Sequence, residues 1–586
     1  MSSIVYWVIG IYLALMVTMG AVFKRSNQNT GDYFRSGSRA SWWLLGTSNF
    51  ISGISAYTFT VAAGIAFSAG WSVALSFATT TVRRALIGWL YVPLCRQKRL
   101  TTGGEVVRER FNPVTQQTLQ IIGLLTGFIG SGIGLYTLGI FVSSIFGISI
   151  YYVIIGLGFV VVFYSVAGGR WAVMATDFLQ CVVMMAVTFT VTILCFVEAG
   201  GVGAFFGRIG ELGLTEQFSL FKSVDALKGT RYAGYFTWQR LLALNLWAYV
   251  GELSVGRTCY AVKDGKEAVK SQLLFAGLTI FGAAFFFIPA FMARLFYADQ
   301  VRNLALKTAE DGAYAVTCLN LLPESMIGLV VVAMFAAAMS TMDTSLNGGA
   351  ANFMLNLYPP IERILKLRPR TDKEKLFLSE CYSAFSGMVC IGTALIYAYK
   401  GVGAMNLMLG IGAYIGLPMA VPMFWGLFLK KMPQWVPLGC LPFGFVGSFI
   451  MWLLRHYAIK LTYLETVTFN IAFPTLVVFF LCWVFRRTNT KEYLDRVDAF
   501  FKRMHTPVDF EKEVGGSNDS YQLRVLGGFC AVGGGFITLL SFFGKDARGV
   551  LCPLCMGSAI LILGLVMYFG GRYLKKKEDS KCRKTN

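Results

Sequence analysis

The feature that most constrains this chain is its long series of apolar stretches. About fifteen of them reach or approach the roughly 20 residues that an α-helix needs to cross the hydrocarbon core of a bilayer. In total, 55% of the residues are hydrophobic and 14% are charged. The sequence therefore predicts an all-α polytopic membrane protein, with spans near residues 4–23, 41–69, 72–95, 117–146, 149–167, 171–197, 236–256, 271–298, 326–356, 378–399, 402–428, 433–456, 466–486, 523–543 and 551–571.

The loops between these spans carry an uneven distribution of positive charge. No basic residue precedes the first span, as one would in a cleaved signal peptide, and Lys24 and Arg25 follow it directly. Because basic loops stay in the cytoplasm, we expect the amino terminus outside and, with an odd number of spans, the carboxyl terminus in the cytoplasm. We expect the protein in a cell membrane, either a plasma membrane or a bacterial inner membrane. The basic clusters then share the cytoplasmic side at 96–110, 257–270, 363–370, 430–431, 486–496 and 575–577.

Charge and composition disfavour several functional classes. The net charge of +21 is spread over separate short loops, so it reflects the loop bias and attraction to anionic membrane lipids and does not predict nucleic-acid binding. The chain has two histidines, which argues against a histidine metal site and against the nucleophile–base pair of an enzyme. No phosphate-binding loop is visible, which disfavours transport driven by ATP. Cys552 and Cys555 have redox-motif spacing, but buried structural thiols are the simpler interpretation.

Two apolar spans contain clusters of polar residues. Asp177 and Gln180 lie just inside the sixth span, and the sequence Ser-Thr-Met-Asp-Thr-Ser occupies 340–345 in the ninth. A charged side chain within a membrane span costs a few kcal/mol or more, so it normally faces protein, water or an ion. Two such clusters favour a cation site, and therefore transport.

Two spans have the composition of interrupted helices. Residues 46–56 are rich in small and hydroxyl side chains at the middle of the second span, and 251–256 contain two glycines near the end of the seventh. Glycine at membrane depth lets a helix unwind, which frees carbonyls for a cation. Close helix packing through small residues is the alternative. Each segment begins a block of five spans, 2–6 and 7–11, and matching discontinuities in two halves are typical of inverted-repeat transporters.

A series of short motifs resembles the sodium/solute symporter family, which includes sodium–glucose, sodium–proline and sodium–sialic acid transporters. Each motif alone is weak, but their order and spacing extend over roughly residues 5–485. They are Asp32-Tyr33-Phe34 with Gly37, Arg39, Trp42 and Trp43; Gly88-Trp89-Leu90-Tyr91-Val92-Pro93; Thr102, Glu105, Arg110 and Phe111; Tyr164-Ser165 with Gly168-Gly169, Ala172-Val173, Thr176-Asp177 and Gln180; 336–341; and Pro422 with Gly426-Leu427-Phe428.

The resemblance implies a leucine-transporter-like fold, a 5+5 inverted repeat with flanking helices. On this chain the expected order is a leading helix and loop (1–40), the first repeat (41–197), an extracellular loop (198–235) and the second repeat (236–428). Two flanking helices (429–486), a cytoplasmic linker (487–522), an extra hairpin (523–573) and a basic tail (574–586) follow. The sequence leaves the role of the hairpin open.

The resemblance also implies a sodium site. The family uses carbonyls of its first broken core helix, which match Ile51 and Ile54, the carbonyl matching Ala337, and hydroxyls matching Ser340 and Thr341. Sodium, like other hard cations, prefers such oxygens. The alternative for the two hydroxyls is a hydrogen bond back to their own helix.

The acidic residue near the family's sodium site matches Asp177. Where some members carry Asp or Asn before the second carbonyl residue, this chain has Gly53, which favours one coupled sodium ion over two. A proton could replace sodium if Asp177 titrates.

The solute is less constrained. Sugar-transporting members place polar side chains at positions matching Thr58, Phe77 and Thr80. Phenylalanine stands here in place of their carboxylate, so a hexose is disfavoured. Arg84 follows Phe77 by seven residues and Thr80 by four, hence on the same helix face. A guanidinium there would bind a carboxylate through paired hydrogen bonds.

A structural role for Arg83 and Arg84, in an ion pair with Asp177 or Glu252 or in contacts with carbonyls, remains the alternative. Asn245 and Trp247 are expected to line the cavity by their position alone.

We therefore predict a sodium-coupled symporter for a small organic solute, carboxylated or otherwise anionic, that works by alternating access. Proton-coupled or facilitative transport on the same fold, and a non-transporting membrane sensor, are the alternatives. The expected partners are the solute, sodium and membrane lipids, and the sequence leaves open whether the protein is a monomer or a homo-oligomer.

Overall fold

The computed structural model describes residues 3–24, 38–100, 102–220, 222, 227, 242–243, 245–246, 248–251, 261–304, 306, 308–401, 404–458, 461–513 and 515–585. Side chains are described for these residues except 20–21, 23–24, 164–170, 172, 404–406, 458 and 581–585. Regular structure in this part of the chain is helical, apart from an isolated bridge between Ala40 and Val262. The all-α prediction is therefore confirmed for it.

The amino-terminal half contains a leading helix, a bent span and two long helices. The helices are α1 Ser3–Lys24, α2 Trp42–Gly53, α3 Ala56–Phe59, α4 Val61–Ala69, α5 Ser72–Leu90, α6 Val92–Gln97, α7 Gly103–Arg110, α8 Pro113–Phe146, α9 Ile150–Glu198, α10 Val202–Glu211 and α11 Thr215–Phe218.

The carboxyl-terminal half adds further spans and an interhelical linker. Its helices are α12 Gly265–Phe285, α13 Ile288–Phe296, α14 Ala298–Arg302, α15 Ala313–Leu321, α16 Glu324–Asn352, α17 Tyr358–Ile364, α18 Asp372–Lys400, α19 Ala404–Ile411, α20 Leu417–Phe428, α21 Val436–Leu453, α22 Tyr463–Val484, α23 Lys491–Met504, α24 Phe510–Glu513, α25 Asp519–Leu539 and α26 Ala547–Thr585.

Among the described residues, ten helices are long and apolar enough to cross a membrane, or eleven with the bent pair counted as one span. The sequence predicted about fifteen spans, and the larger number is not confirmed. The first and fifth predicted spans correspond to α1 and the first part of α9, whose apolar parts among the residues with described side chains are Ser3–Met19 and Ile150–Phe163. The third corresponds to α5 and α6, which fall outside the set because α5 carries Arg83, Arg84 and several hydroxyl residues. Most of the seventh, 236–256, lies outside the described residues.

Helix α9 joins two predicted spans, 149–167 and 171–197. Its backbone is helical over 49 residues, more than the roughly 20 that one bilayer crossing needs. The Gly168-Gly169 pair lies inside this helix and not in a loop.

The second span is broken where the sequence predicts an interruption. Helix α2 ends at Gly53, Ile54 is extended (φ −104°, ψ 95°), and Ser55 caps α3 by accepting a hydrogen bond from the amide of Tyr57. The two halves meet at an angle of 52°. The second predicted interruption falls outside the described residues, except for Gly251.

Helix α16 is the centre of the bundle. In its most apolar window 94% of the residues are buried, whereas the corresponding window of α22 is 28% buried. Helices α1, α2, α8, α9 and α18 all pack against it. A polar residue on α16 is therefore surrounded by protein and not by lipid.

Several loops meet at one end of the bundle, which we call the basic-loop face. Arg96 donates to the carbonyls of Val262 and Lys263 at 2.7 and 3.1 Å, and Arg110 donates to carbonyls of 426–430. These are loops that the sequence places on the same side. At the opposite end of the bundle, Arg548 pairs with Glu198 at 2.8 Å.

Candidate functional site

The break in the second span faces the buried helix α16. Ser52, one residue from the end of α2, has its hydroxyl 3.0 Å from the hydroxyl of Ser340 and 3.0 Å from that of Thr344. Ser340 and Thr344 are four residues apart and so lie on one face of α16. A cluster of hydroxyl oxygens therefore joins the broken helix to the central helix.

Thr341 adds a second connection at the same level. Its hydroxyl lies 3.3 Å from the carbonyl oxygen of Ser52 and 3.2 Å from that of Ala337. The predicted back-bond to the helix is thus present, together with a contact across to α2. Ser340 and Ala337 are fully buried.

The carbonyl residues Ile51 and Ile54 flank Ser52. The amide of Ile54 donates to the carbonyls of Ile51 at 3.1 Å and Phe50 at 3.0 Å, which closes the last turn of α2. Because Ile54 is extended, its own carbonyl departs from the helical direction. The described hydrogen bonds from α16 reach Ser52, which is one residue after Ile51 and two before Ile54. The structure thus brings the two predicted segments together close to the predicted carbonyls.

Asp177 on α9 is connected to the same helix one turn earlier. Its side chain is fully buried, and a carboxylate oxygen accepts a hydrogen bond from Ser48. Ser48 and Ser52 are four residues apart on α2, so one helix face presents both the carboxylate contact and the hydroxyl cluster.

The leading helix adds an aromatic side chain to this region. Tyr12 on α1 is buried close to Gln180 and to two carboxyl side chains, Asp177 and Asp343. Asp343 is 1% exposed. An ionised carboxylate in this region would favour a cation beside it.

The donor set fits a hard monovalent cation. The groups brought together are hydroxyls, backbone carbonyls and a nearby carboxylate, all of them oxygen ligands of the kind that hard cations prefer. No group of three or more His, Cys, Asp or Glu residues suited to a metal occurs among the residues that the structure describes. The oxygens could hold an ion that must be released again, because most of them are neutral.

The residues predicted to line the solute cavity lie beyond the break. Thr58 is buried on the short helix α3, 2% exposed. The Phe77 ring on α5 packs edge-on against Phe287, with ring centroids 5.2 Å apart, and the Thr80 hydroxyl donates to the carbonyl of Ser76 at 3.2 Å. In this conformation Phe77 packs against another aromatic ring and Thr80 bonds to its own helix.

The Phe275 ring lies between Arg84 and the break in the second span. Its guanidinium carbon lies 4.6 Å from the centroid of Phe275 on α12. A methyl group built on Gly53 would lie 3.2 Å from the same ring. Arg84 is thus separated from the end of α2 by one aromatic layer. The alternative partner Glu252 lies outside the described residues, as does Trp247.

Asn245 is the one predicted cavity residue of the seventh span whose contacts are described. Its side-chain amide donates to the hydroxyl of Thr79 at 3.1 Å. This contact places part of the seventh span beside α5, next to the face that carries Phe77, Thr80 and Arg84.

Four residues of the site were not predicted from the sequence: Ser48, Ser52, Thr344 and Tyr12. A signal for three of them exists, because Ser48 and Ser52 repeat at four residues on α2 and Ser340 and Thr344 do so on α16. Tyr12 has no comparable signal, since its position depends on how α1 packs against α9 and α16.

Comparisons with known proteins show the family of this chain. The family model of the sodium:solute symporter family matches residues 33–435. The chain is 24% identical to sodium/glucose cotransporter 2 of Rattus norvegicus over 76% of this chain and 70% of that protein. It is 23% identical to sodium/myo-inositol cotransporter 2 of Mus musculus over 86% of this chain and 80% of that protein.

A solved structure shares the fold. The chain resembles a sodium-coupled sialic acid symporter in a substrate-bound, outward-open state, with a TM-score of 0.67 and 20% sequence identity. The match covers 83% of this chain and 98% of that protein. At this identity the likeness concerns the fold.

Proposed function

This chain belongs to the sodium:solute symporter family, and we propose that it couples the movement of sodium to that of a small carboxylated or otherwise anionic solute. As a member of that family it is a multi-pass membrane transporter and not an enzyme.

We propose that sodium binds where α2 is broken beside α16. The ligands would be the carbonyls of Ile51, Ile54 and Ala337 and the hydroxyls of Ser340 and Thr341, with Asp177 nearby. The observation that supports this is the contact of Thr341 with the carbonyls of both Ser52 and Ala337, at 3.3 and 3.2 Å. Oxygens from two separate helices are already within hydrogen-bonding reach at the one described break.

The geometry suggests how the ion and the solute are coupled. An ion held by α2 and α16 stabilises the arrangement in which these helices are close together, and the solute residues Thr58 and Arg84 lie on or beside the continuation of the same span. Two ligands that favour one arrangement raise each other's affinity by the same factor. Rocking of one part of the bundle against the other would then carry both across the membrane.

We propose that Arg84 recognises the anionic group of the solute. The cation lies over Phe275, one layer from Gly53, and an Arg guanidinium can offer a forked pair of donors to a carboxylate. The names of related transporters point to sugars and inositol, which are neutral polyols. A neutral polyol is therefore the second candidate.

The proposal is tested by the thermal stability of the purified protein with sialic acid, short carboxylates, pantothenate, amino acids, glucose, inositol and choline, each in sodium and in potassium. We expect a carboxylated compound to stabilise the protein in sodium and much less in potassium. Stabilisation by a neutral sugar alone would reject the anionic solute. Stabilisation that is equal in both salts would reject sodium coupling and favour proton-coupled or facilitative transport.

We also propose that the basic-loop face is cytoplasmic. The loops at 91–112, 261–264 and 426–436 contact one another there and carry the excess of positive charge. This assignment agrees with an amino terminus outside and a carboxyl terminus in the cytoplasm.

A further inference from the structure

The segment that connects α22 to α25 packs against the basic-loop face. Helix α23 is amphipathic, and Tyr493, Val497, Phe500 and Met504 on its inner face are all less than 5% exposed. Phe500 and Met504 pack with Leu100 and Val106 of the basic-loop face. We call residues 491–513 together with 515–522 the strap.

The amino-terminal end of the strap contacts Arg110, the last residue of α7. Arg110 is 1% exposed and donates to the hydroxyl of Tyr493 at 2.6 Å and to the carbonyls of Gly426 and Leu429 at 2.7 and 2.8 Å. Arg503 pairs with Glu109, and Arg496 donates to the carbonyl of Phe111. This end therefore holds the start of α8 and the end of α20.

The middle of the strap is held by Arg99. Its guanidinium donates to both carboxylate oxygens of Glu513, at 2.8 and 2.7 Å, and to the carbonyls of Thr506 and Pro507 at 3.2 and 3.0 Å. The hydrogen bond from Arg99 lowers the pKa of Glu513, so this carboxylate stays charged and paired at neutral pH.

The carboxyl-terminal end of the strap, at Asp519 and Gln522, forms hydrogen bonds with the residue that precedes α2. The backbone amide of Ser41, the residue before α2, donates to the side-chain oxygen of Gln522 at 3.1 Å. The Ser41 hydroxyl lies 2.6 Å from a carboxylate oxygen of Asp519 and 2.9 Å from the same oxygen of Gln522. The Gln522 amide donates to the carbonyl of Arg39 at 3.0 Å, and Lys263 pairs with Asp519.

The Ser41 side chain does not cap α2. Backbone amides at a helix start lack partners within the helix, and Gln522 of the strap accepts the hydrogen bond of the Ser41 amide. Ser48 and Ser52 follow on the same helix, about 10 and 16 Å further along its axis at the rise of an α-helix. A displacement of Ser41 would therefore shift α2 as a unit, including the Ser48 and Ser52 side chains at the proposed cation site.

We propose that the strap is a conformational latch, which ties the ion-binding half of the broken helix to α7, α8 and α20 and must release Ser41 during each transport cycle. The inference rests on the proposed function, in which one part of the bundle rocks against the other, and it assigns α2 to one part and α7, α8 and α20 to the other. Contacts made in one arrangement only shift the equilibrium toward it by their differential free energy. Release of the strap therefore loosens α2 and lowers the occupancy of the arrangement that binds sodium.

The first test uses the full-length protein with Gln522→Ala and Asp519→Asn combined. We expect faster hydrogen–deuterium exchange in residues 42–53, with exchange in α21 unchanged, and an apparent sodium affinity about tenfold weaker, within the usual range of coupling between sites. The matched control is Arg548→Gln, which breaks an ion pair of the same hairpin at the opposite face and should leave α2 unchanged. Unchanged exchange in residues 42–53 of the double variant would overturn the latch.

A second test does not depend on losing a contact. With Ser41→Cys and Gln522→Cys, oxidation should lock the strap to α2, slow exchange in residues 42–53 and abolish sodium-dependent changes in that exchange, and reduction should reverse all three. Each single cysteine variant is the control. Crosslinked protein that still responds to sodium like the wild type would overturn the proposal. The exchange measurement does not need sodium, so a wild-type protein that ignores sodium would refute the proposed function while leaving the latch testable.

Discussion

Ser52 and Thr341 show, at the scale of single residues, how two helices share one cluster of oxygens. Helix periodicity accounts for the hydroxyl positions, because Ser48 with Ser52, Ser340 with Thr344, and Ala337 with Thr341 are each four residues apart and so lie on one face. The carbonyl ligands have no such signal, since a carbonyl is exposed by the backbone conformation and not by the side chain. Their assignment to Ile51 and Ile54 rests on the family resemblance and stays a prediction.

Asp177 is expected to supply negative charge to the sodium site. Asp177→Asn keeps an oxygen for the hydrogen bond from Ser48 but removes the charge. A unit charge near a cation is worth on the order of 1–4 kcal/mol at the effective dielectric of a protein, so we expect sodium affinity to fall about tenfold or more. Sodium titration of the melting temperature measures this. Asp299→Asn, at a side chain that is 91% exposed, is the control; equal affinities in all three proteins would remove Asp177 from the site.

Arg84 is expected to select an anionic solute. Arg84→Gln should weaken stabilisation by the carboxylated compound found in the panel by 10-fold or more, on the order of 1.4 kcal/mol, while sodium-induced stabilisation is retained. Arg84→Lys keeps the charge but loses the fork, so it should recover part of the affinity. Phe275→Leu removes the ring beside Arg84 but keeps the guanidinium. It therefore tests whether the position of Arg84, and not only its charge, matters for solute binding. Unchanged affinity in Arg84→Gln would assign Arg84 a structural role.

At the scale of helices, the sequence predicted that the second span is interrupted and roughly where. The composition of 46–56 indicated weak helix formation, but the unwound residues are Ile54 and Ser55, after Gly53. Composition could not identify them, because several residues of that segment, such as Gly46 and Thr47, are equally compatible with a bend. Packing against α16 and α12 decides which turn opens.

The buried guanidinium of Arg110 holds the end of α7 in place, so its replacement should change the stability of the protein. Arg110 donates to three carbonyls and to the hydroxyl of Tyr493, and Lys cannot reach this set from one nitrogen. Arg110→Lys should leave buried acceptors unpaired and destabilise the protein by about 2–5 kcal/mol. A melting curve measures the loss. Arg108→Lys, on the exposed side of α7, should melt like the wild type; a similar loss in both variants would contradict this account.

At the scale of the whole molecule, the helical class and the family resemblance were predictable, because apolar length and ordered motifs extend over most of the chain. The strap was not. Its contacts join residues such as Ser41 and Gln522 that are 481 positions apart, and nothing in a charged linker indicates what it will touch. The continuity of α9 was not predicted either, because the sequence analysis ended one span at 167 and began the next at 171.

The orientation prediction also belongs to the whole molecule. The predicted odd number of spans would put the two termini on opposite sides, and we propose that the basic-loop face is the cytoplasmic side. Epitope tags at each end, tested for antibody access in intact and permeabilised cells, should show the amino-terminal tag outside and the carboxyl-terminal tag inside. Tags on the same side would show that the span count is even.

The most direct test of sodium coupling needs no knowledge of the solute. The melting temperature of the purified protein is measured in increasing sodium, with potassium keeping the ionic strength constant, for the wild type, Ser340→Ala with Thr341→Ala, and Thr190→Val as a control hydroxyl on α9. A bound ion at 100 times its dissociation constant adds about 2.7 kcal/mol, so sodium should stabilise the wild type and Thr190→Val but not the double variant. Equal stabilisation of the double variant would place sodium elsewhere, and no stabilisation of the wild type would contradict sodium binding altogether.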